Sequence, residues 1–274
     1  MAAKVWFITG SSRGFGREWA EAALERGDRV AATARKPTDL EALSESYGDS
    51  VLPLELDVTD SLGAREKMAV AHEYFGRLDV IVNNAGYGLF GAIEEVSEEQ
   101  ARAQIDTNLL GALWVTKAAL PYLREQGSGH IVQVSSIGGI VAFPRLGLYH
   151  ASKWGLEGFS EALAAEVAEF GIRVTIVEPG GFDTDWGTSS AVRAQPLPPY
   201  EAMHERSQFT RRDLGTKGDP HASATAMLRV VDAEQPPLRV FFGHAPLQIA
   251  RARYEQRLAT WEEWSEVSEF AQGG

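Results

Sequence analysis

The chain is expected to fold as a doubly wound α/β protein, an open parallel sheet with helices on both faces. Three observations predict it. Short apolar runs alternate with helix-length segments through the first 180 residues, the pattern of βαβ units. The runs are nearly continuous in apolar residues, as expected of strands covered on both faces. The first run ends in a glycine-rich turn that opens directly into a helix.

Taken in order, Lys4–Thr9 is the first strand. Gly14–Arg26 is the helix that follows, with Phe15, Trp19, Ala22, Ala23 and Leu24 on its apolar face. Asp28–Ala34 is the second strand, and Thr38-x-x-Glu41 reads as a capping box opening the next helix. Val51–Leu56 and Leu78–Val82 are strands with a helix from Ser61 to Phe75 between them. Ser97-x-x-Gln100 is a second capping box, and its helix runs towards Leu123 with Gly111 inside it. Ile131–Val134 and Val174–Val177 are strands, joined by a helix over Tyr149–Phe170. Periodicity then fails from Asp183 to about Asp219, a length that suggests a substrate lid rather than a plain connection. A helix over His221–Val231, a strand over Leu238–Phe242 and a terminal helix over Leu247–Phe270 complete a single expected domain spanning residues 1–274. Trp261 and Trp264 are expected to pack, and the tail EWSEVSEFAQGG to fray.

Composition narrows the function. The 274 residues are 44% hydrophobic and 23% charged, ordinary for a soluble globular protein. A net charge of −12 repels polyanions and argues against a nucleic-acid partner. The lack of cysteine excludes disulfides and thiolate chemistry, and fits a reducing cytosol. The apolar run after MAAK is too short for a signal peptide or a membrane span, so a cytoplasmic protein is expected. The six histidines show no metal-ligand clustering.

The turn Thr9-Gly10-Ser11-Ser12-Arg13-Gly14-Phe15-Gly16 lets main chain approach a ligand closely, and the helix start behind it offers free N–H groups to a pyrophosphate. Its spacing is G-x-x-x-G-x-G rather than G-x-G-x-x-G. The second strand ends in Ala34-Arg35-Lys36, where an NAD binder would carry an acid. Asp39 lies further on, past Pro37. Arg13, Arg35 and Lys36 together suit a 2′-phosphate, so NADP is expected over NAD. Asp57-Val58 and Asn83-Asn84-Ala85-Gly86 follow the third and fourth strands, at the edge where open α/β sheets bind ligands. Asp57 is placed to accept from an adenine amino group, and the paired asparagines to tie strand ends together.

Tyr149 and Lys153 are four apart on a helix and so share a face. An ammonium roughly 5 Å from a phenol favours the phenolate by about 3 kcal/mol at an effective dielectric near 20. That alone brings a tyrosine down by about two pKa units and makes it useful near neutral pH. Ser136 or its neighbour Ser135, closing a strand end, can donate to a developing oxyanion. Asn108 interrupts a helical pattern, which suits a local helix distortion.

In this order the motifs Thr9-Gly10-x-x-x-Gly14-x-Gly16, Asn83-Asn84-Ala85-Gly86, Ser136, Tyr149-x-x-x-Lys153 and Pro179-Gly180 resemble the short-chain dehydrogenase/reductase family, firmly over residues 4–184. The resemblance implies a nicotinamide-dependent oxidoreductase with an Asn108, Ser136, Tyr149, Lys153 tetrad and Tyr149 as proton donor. It favours Ser136 over Ser135. It implies that Lys153 also holds the ribose hydroxyls, that Asn108 anchors a water behind Lys153, and that Thr184 contacts the carboxamide. It further implies a homodimer or homotetramer, often packed through the helix that carries Tyr149. Within that helix His150, Ala151 and Ser152 are expected to carry no part of the chemistry.

Pocket walls are expected from Leu89, Phe90, Phe143, Phe182, Trp186, Leu197, Tyr200, Met203 and Phe209, large apolar side chains suited to a bulky hydrophobic carbonyl or alcohol. No cluster of cations marks a phosphate or acyl-carrier handle in that segment, Arg206, Arg211 and Arg212 excepted. The leading reading is an NADP-dependent carbonyl reductase or alcohol dehydrogenase. An NAD-dependent dehydrogenase of a sugar or steroid alcohol, and a non-catalytic dinucleotide sensor, are the alternatives.

Overall fold

A computed structural model describes residues 3–206 and 217–273. Seven parallel strands form one sheet in the order β3-β2-β1-β4-β6-β7-β9. They are β1 (Val5–Ile8), β2 (Arg29–Ala34), β3 (Val51–Glu55), β4 (Val80–Asn83), β6 (Gly129–Val134), β7 (Ile172–Pro179) and β9 (Arg239–Phe242). Two short strands, β5 (Leu89–Phe90) and β8 (Val192–Arg193), pair outside the sheet. The helices between the strands are α1 (Gly14–Glu25), α2 (Glu41–Tyr47), α3 (Ser61–Phe75), α4 (Glu98–Ile105), α5 (Gly111–Gln126), α6 (Gly147–Val167), α7 (201–206) and α8 (Pro220–Asp232). Two more, α9 (Pro246–Glu263) and α10 (Ser265–Ala271), end the chain.

Both faces of the sheet are covered, which is why its strands are continuously apolar. Trp6, Ile8, Val30, Val80 and Val132 pack with Trp19, Ala23 and Met227 of α1 and α8 on one side. Val5, Phe7, Ala31, Ile81 and Ile131 pack with Met68, Val115 and Leu163 of α3, α5 and α6 on the other. The strand order reverses between β1 and β4, and the crevice at that reversal is where ligands of such sheets bind. The glycine turn after β1 and Asn83-Asn84 after β4 stand on either side of it.

Several expectations are corrected. Thr38 caps nothing: Pro37–Leu40 is a 3-10 turn, and α2 starts only at Glu41 without a side-chain cap. The Ser97 box does form, with Ser97 N–H donating to Gln100 at 3.1 Å and Gln100 N–H donating to Ser97 Oγ at 3.1 Å. The helix it starts is broken by a π turn at Asp106–Leu110 before α5. The irregular segment after Asp183 contains β8 and α7; Phe209, Arg211 and Arg212 lie outside the described residues. The tail does not fray at Ser265 but forms α10. Trp261 and Trp264 do not pack, being 61% and 59% exposed. The indoles sit where α9 ends and α10 begins, past the edge of the described body, so both stay largely open. Among the described residues no helix is long and apolar enough to cross a membrane.

Candidate active site

The glycine turn is built by close contact. Gly10 and Gly14 take φ of 68° and 55°, angles that side chains disfavour. A Cβ on Gly16 would sit 2.3 Å from Gly10 O and 2.5 Å from Asn84 Nδ2, so only glycine fits there. Arg13 is the N-cap of α1 in extended backbone and supplies no side-chain cap, and Ser12 is half-buried beside it. The first N–H groups of α1 are therefore available to an anion. Phe15 turns away and stacks on Trp19 at 5.0 Å. Arg13, Arg35 and Lys36 are exposed, and none joins an ion pair among the described residues. Thr184 lies against this turn, with its Cβ 3.8 Å from where a Gly14 Cβ would be.

The paired asparagines do tie strand ends. Asn84 Nδ2 donates to Thr9 O at 2.9 Å, and Asn84 N–H donates to Thr9 Oγ1 at 2.9 Å. Asn83 Nδ2 donates to Thr116 Oγ1 at 2.9 Å, anchoring β4 to α5. Gly86 then lies beside the tetrad: a Cβ there would be 3.1 Å from Asn108 Oδ1 and 3.7 Å from Lys153 Nζ. Asp57 is exposed and accepts from Thr59 N–H and Oγ1, at 3.0 and 2.8 Å, while Val58 is buried under Gly111. At the far strand end Gly180 N–H donates to Phe242 O at 2.9 Å, fixing the Pro179-Gly180 corner.

Tyr149, Lys153 and Asn108 are all buried, and Ser136 half-buried, around one point. Lys153 Nζ lies 5.9 Å from the Tyr149 ring centre and donates to Val134 O at 2.7 Å. Ser136 lies close enough to the Tyr149 phenol to pull its pKa down. Ser135 faces away: its hydroxyl lies 2.5 Å from a Gly139 Cβ position that is also 2.8 Å from Glu157 Oε1. Asn108 sits in the π turn, accepts from Tyr87 N–H at 3.1 Å, and donates to Tyr87 O at 3.0 Å and Ser152 Oγ at 3.2 Å. The wide turn presents the amide to the loop after β4, where an unbroken helix would rotate it elsewhere.

The expected lowering of Tyr149 is overturned. Burial pushes the phenol up to about 12, and Ser136 pulls back only part of that. Lys153 cannot reverse it because burial brings the ammonium itself down to about 8, against an upward pull from Glu157. Where two neighbours both lose their hydration, desolvation outweighs their mutual help. Burial thus holds this tyrosine as the neutral phenol at neutral pH.

Two residues set aside in the sequence prove to be part of the scaffold. Ser152 is fully buried, donates to Tyr149 O at 2.7 Å and accepts from Asn108, so it links two members of the tetrad. His150 Nδ1 meets Gly138 O at 2.8 Å while Nε2 accepts from Phe143 N–H at 2.9 Å. Those partners fix the Nδ1–H tautomer, and burial holds the ring below its usual pKa. It thereby staples the loop that carries Ser136 and Phe143. A sequence signal existed for Ser152, which stands next to Lys153 and one turn from Tyr149; none existed for His150, whose partners come from another segment.

The expected pocket divides. Trp186 is 5.0 Å from Tyr149 and 5.2 Å from Phe90, ring centre to ring centre. Phe143 stands 5.7 Å from His150, on the other side of Tyr149. Phe182 is not with them: it packs edge-on against Phe15 at 4.9 Å and against the core behind the glycine turn. Tyr200 is also elsewhere, its hydroxyl donating to Glu94 at 2.6 Å. Both are drawn off by nearer partners, one by an aromatic core and one by a carboxylate. Glu95 completes that anchorage, accepting from Leu197 N–H at 2.8 Å and Ala92 N–H at 2.7 Å and pairing with His204 at 2.6 Å. Burial alone would raise this carboxyl, but these hydrogen bonds outweigh it and hold it at about 2. Residues 192–204 are thus fastened beside the pocket by β5–β8 pairing and by one buried carboxylate.

Comparison with known proteins agrees with this arrangement. The family model of the short chain dehydrogenase matches residues 4–194. Oxidoreductase BOA17 of Botryotinia fuckeliana is 44% identical over 97% of this chain and 98% of its own length. A 3-ketodihydrosphingosine reductase of Bacteroides thetaiotaomicron is 36% identical over 89% of each. Among solved structures, a short-chain dehydrogenase from Streptomyces avermitilis superposes with a TM-score of 0.90 at 40% identity, covering 98% of both chains. One from Burkholderia cenocepacia in complex with NADP gives 0.76 at 28% identity, over 95% of this chain and 97% of that one.

Proposed function

The chain belongs to the short-chain dehydrogenase family, and from that premise we propose that it reduces a bulky hydrophobic ketone or aldehyde with NADPH. The observation that carries the reading is Tyr149: a buried, protonated phenol with Ser136 on it, Lys153 behind it and Trp186 over it. A bound reduced nicotinamide supplies the hydride. The residues present fit such a group. A Cβ would crowd the cradle at Gly10 and Gly16 and strain the backbone at Gly10 and Gly14, and the uncapped start of α1 faces it. Ser12, Arg13, Asp57, Asn84, Ala85, Gly86, Pro179, Gly180 and Thr184 would line the rest of the dinucleotide site, with Phe15 and Val58 offering main chain rather than side chain.

NADP is favoured over NAD because Arg13, Arg35 and Lys36 are exposed cations without ion-pair partners among the described residues, at the end of β2 and in the glycine turn, in a protein of net charge −12. Such groups suit a 2′-phosphate.

In the chemistry proposed, Tyr149 donates its proton to the carbonyl oxygen as negative charge builds on it, and Ser136 donates a hydrogen bond to the same oxygen. Lys153 stabilises the tyrosinate that remains. Asn108, held by Tyr87 and Ser152, keeps the loop after β4 against Lys153. Residues 183–206 act as the lid, with Trp186 and Phe90 closing the pocket over Tyr149 and excluding water. The pocket's apolar aromatic walls favour a large carbonyl substrate, in keeping with the 3-ketodihydrosphingosine reductase among the relatives.

Turnover of a panel of bulky ketones with NADPH and with NADH tests the reading. Wild type should turn over with NADPH, and Tyr149→Phe should lose about 10²–10⁴-fold in kcat. A Tyr149→Phe variant as fast as wild type would sink the proton-donor role. A strong preference for NADH would return the protein to the NAD-dependent alternative, and dinucleotide binding without any turnover to the sensor.

A further inference from the structure

The end of the chain leaves the protein body. Ala250 of α9 is buried against Ile137, Ile140 and Val141, and Arg257 reaches back to donate to Ile140 O at 2.9 Å. Beyond it every described residue from 258 to 273 is exposed. Thirteen of these sixteen residues are helical, 258–263 in α9 and 265–271 in α10, an arm roughly 20 Å long.

The arm is not built for water. Tyr254, Leu258 and Trp261 follow Ala250 on one helix face, and are 46%, 51% and 61% exposed. Trp264, Val267 and Phe270 continue at 59%, 56% and 82%. Trp154 of α6, 42% exposed, stands at the arm's root under Arg257, whose guanidinium lies 4.8 Å from its ring. With aromatics presenting roughly 150–250 Å² each when open, this surface comes to roughly 800 Å². That exceeds the largest apolar patch of an ordinary monomer and matches one side of a standard protein interface.

Its charges say what covers it. The root half carries Arg251, Arg253 and Arg257, with Glu255 among them; the far half carries Glu262, Glu263, Glu266 and Glu269 and no cation. None of these joins an ion pair within the described chain. Two such arms laid antiparallel set the basic half of each against the acidic half of the other. A two-fold interface must be self-complementary, and this arm is. The acidic far half would be repelled by an anionic membrane.

We propose that the C-terminal arm of α9 and α10 is an exchange element, pairing antiparallel with the same arm of a second copy of this chain and covering Trp154, Trp261 and Trp264 in the dimer. The pairing needs no residue of the glycine turn or the tetrad, so it stands or falls apart from the proposed activity.

Sedimentation of the full chain tests it with two charge-reversed variants. Wild type should dimerise. Arg251→Glu/Arg253→Glu, and separately Glu263→Lys/Glu266→Lys, should each weaken self-association at least about tenfold. An equimolar mixture of the two should dimerise again, because the reversed halves now match across chains. Dinucleotide binding should be unchanged in both, showing that they are folded. A monomeric wild type, variants that dimerise as tightly as wild type, or a mixture no tighter than its components would overturn the proposal. So would a monomer whose arm instead binds phosphatidylcholine vesicles.

Discussion

Lys153 and Tyr149 share a helix face, yet the ammonium donates to Val134 O at 2.7 Å and stands 5.9 Å from the centre of the phenol ring. The lysine is thus fastened to β6 rather than to its partner on α6. Its carbonyl anchor keeps it within electrostatic reach of the phenol while leaving the hydroxyl to Ser136.

Lys153→Met separates the stability of this arrangement from its function. Burial lowers Lys153 to about 8. A lysine depressed on folding binds its proton less well in the native state, so it costs stability below about pH 8. That cost fades as pH rises from 8 towards the unfolded value near 10.5. Lys153→Met should therefore melt no lower than wild type at pH 7, while kcat falls by about 10²-fold or more. Thermal melts at pH 7 and 9.5 beside steady-state rates measure both; a variant that loses stability at pH 7 and keeps its rate would contradict the assignment.

Replacing Arg35 and Lys36 by serine should act on one cofactor alone. If the two cations hold a 2′-phosphate, kcat/KM for NADPH should fall by about tenfold or more, while that for NADH changes by less than about threefold. Parallel titrations with both cofactors decide it. Equal losses would mean that the side chains support the end of β2 rather than the phosphate.

Gly16→Ala should damage the fold and the cofactor site together. The new methyl would lie 2.3 Å from Gly10 O, so the turn must move. Overpacking of this kind costs about 1–3 kcal/mol. A melting temperature lowered by several degrees, with dinucleotide affinity lost, is the expected pair of results. Dinucleotide binding that survives unaltered would place the ligand elsewhere.

Glu178 gives the chain a pH-dependent weakness. Burial first, and then the Glu157 carboxylate, raise it to about 8, against the pull of Arg239. A carboxyl raised on folding holds more protons in the native state, so stability falls as pH climbs from about 4.5 to 8 and stays reduced above. Its Oε1 stands 3.7 Å from Arg239 Nε but, like Glu157 Oε1 and Ser135 Oγ, is buried without a hydrogen-bond partner among the described residues. Glu178→Gln removes the penalty. Its melting temperature should match wild type at pH 4.5 and exceed it by several degrees at pH 8. A difference that does not change with pH would show that Glu178 is not the group responsible.

Much of the fold was legible because it follows from local pattern. Continuous apolar strands, helix-length spacers and a glycine turn after β1 fix a doubly wound sheet, since each strand must be covered twice. The Ser97 box was legible for the same reason: its two hydrogen bonds join residues three apart. Thr38 misled because Pro37 starts a 3-10 turn that the capping pattern does not register. Phe182 and Tyr200 had the composition of a pocket wall, but Phe15 and Glu94 lie closer to them than Tyr149 does in the fold.

The sequence by itself determined the sheet, the glycine cradle at the reversal of strand order, and the helical pairing of Tyr149 with Lys153, all of which rest on spacings of a few residues. Tertiary structure alone decided that Ser152 ties Tyr149 to Asn108 and that His150 staples the loop beside them. It also decided the sign of the tyrosine's pKa. A sequence shows which charges are neighbours along a helix, but how much water each has lost depends on every element packed around it, and here that loss outweighs the attraction between them.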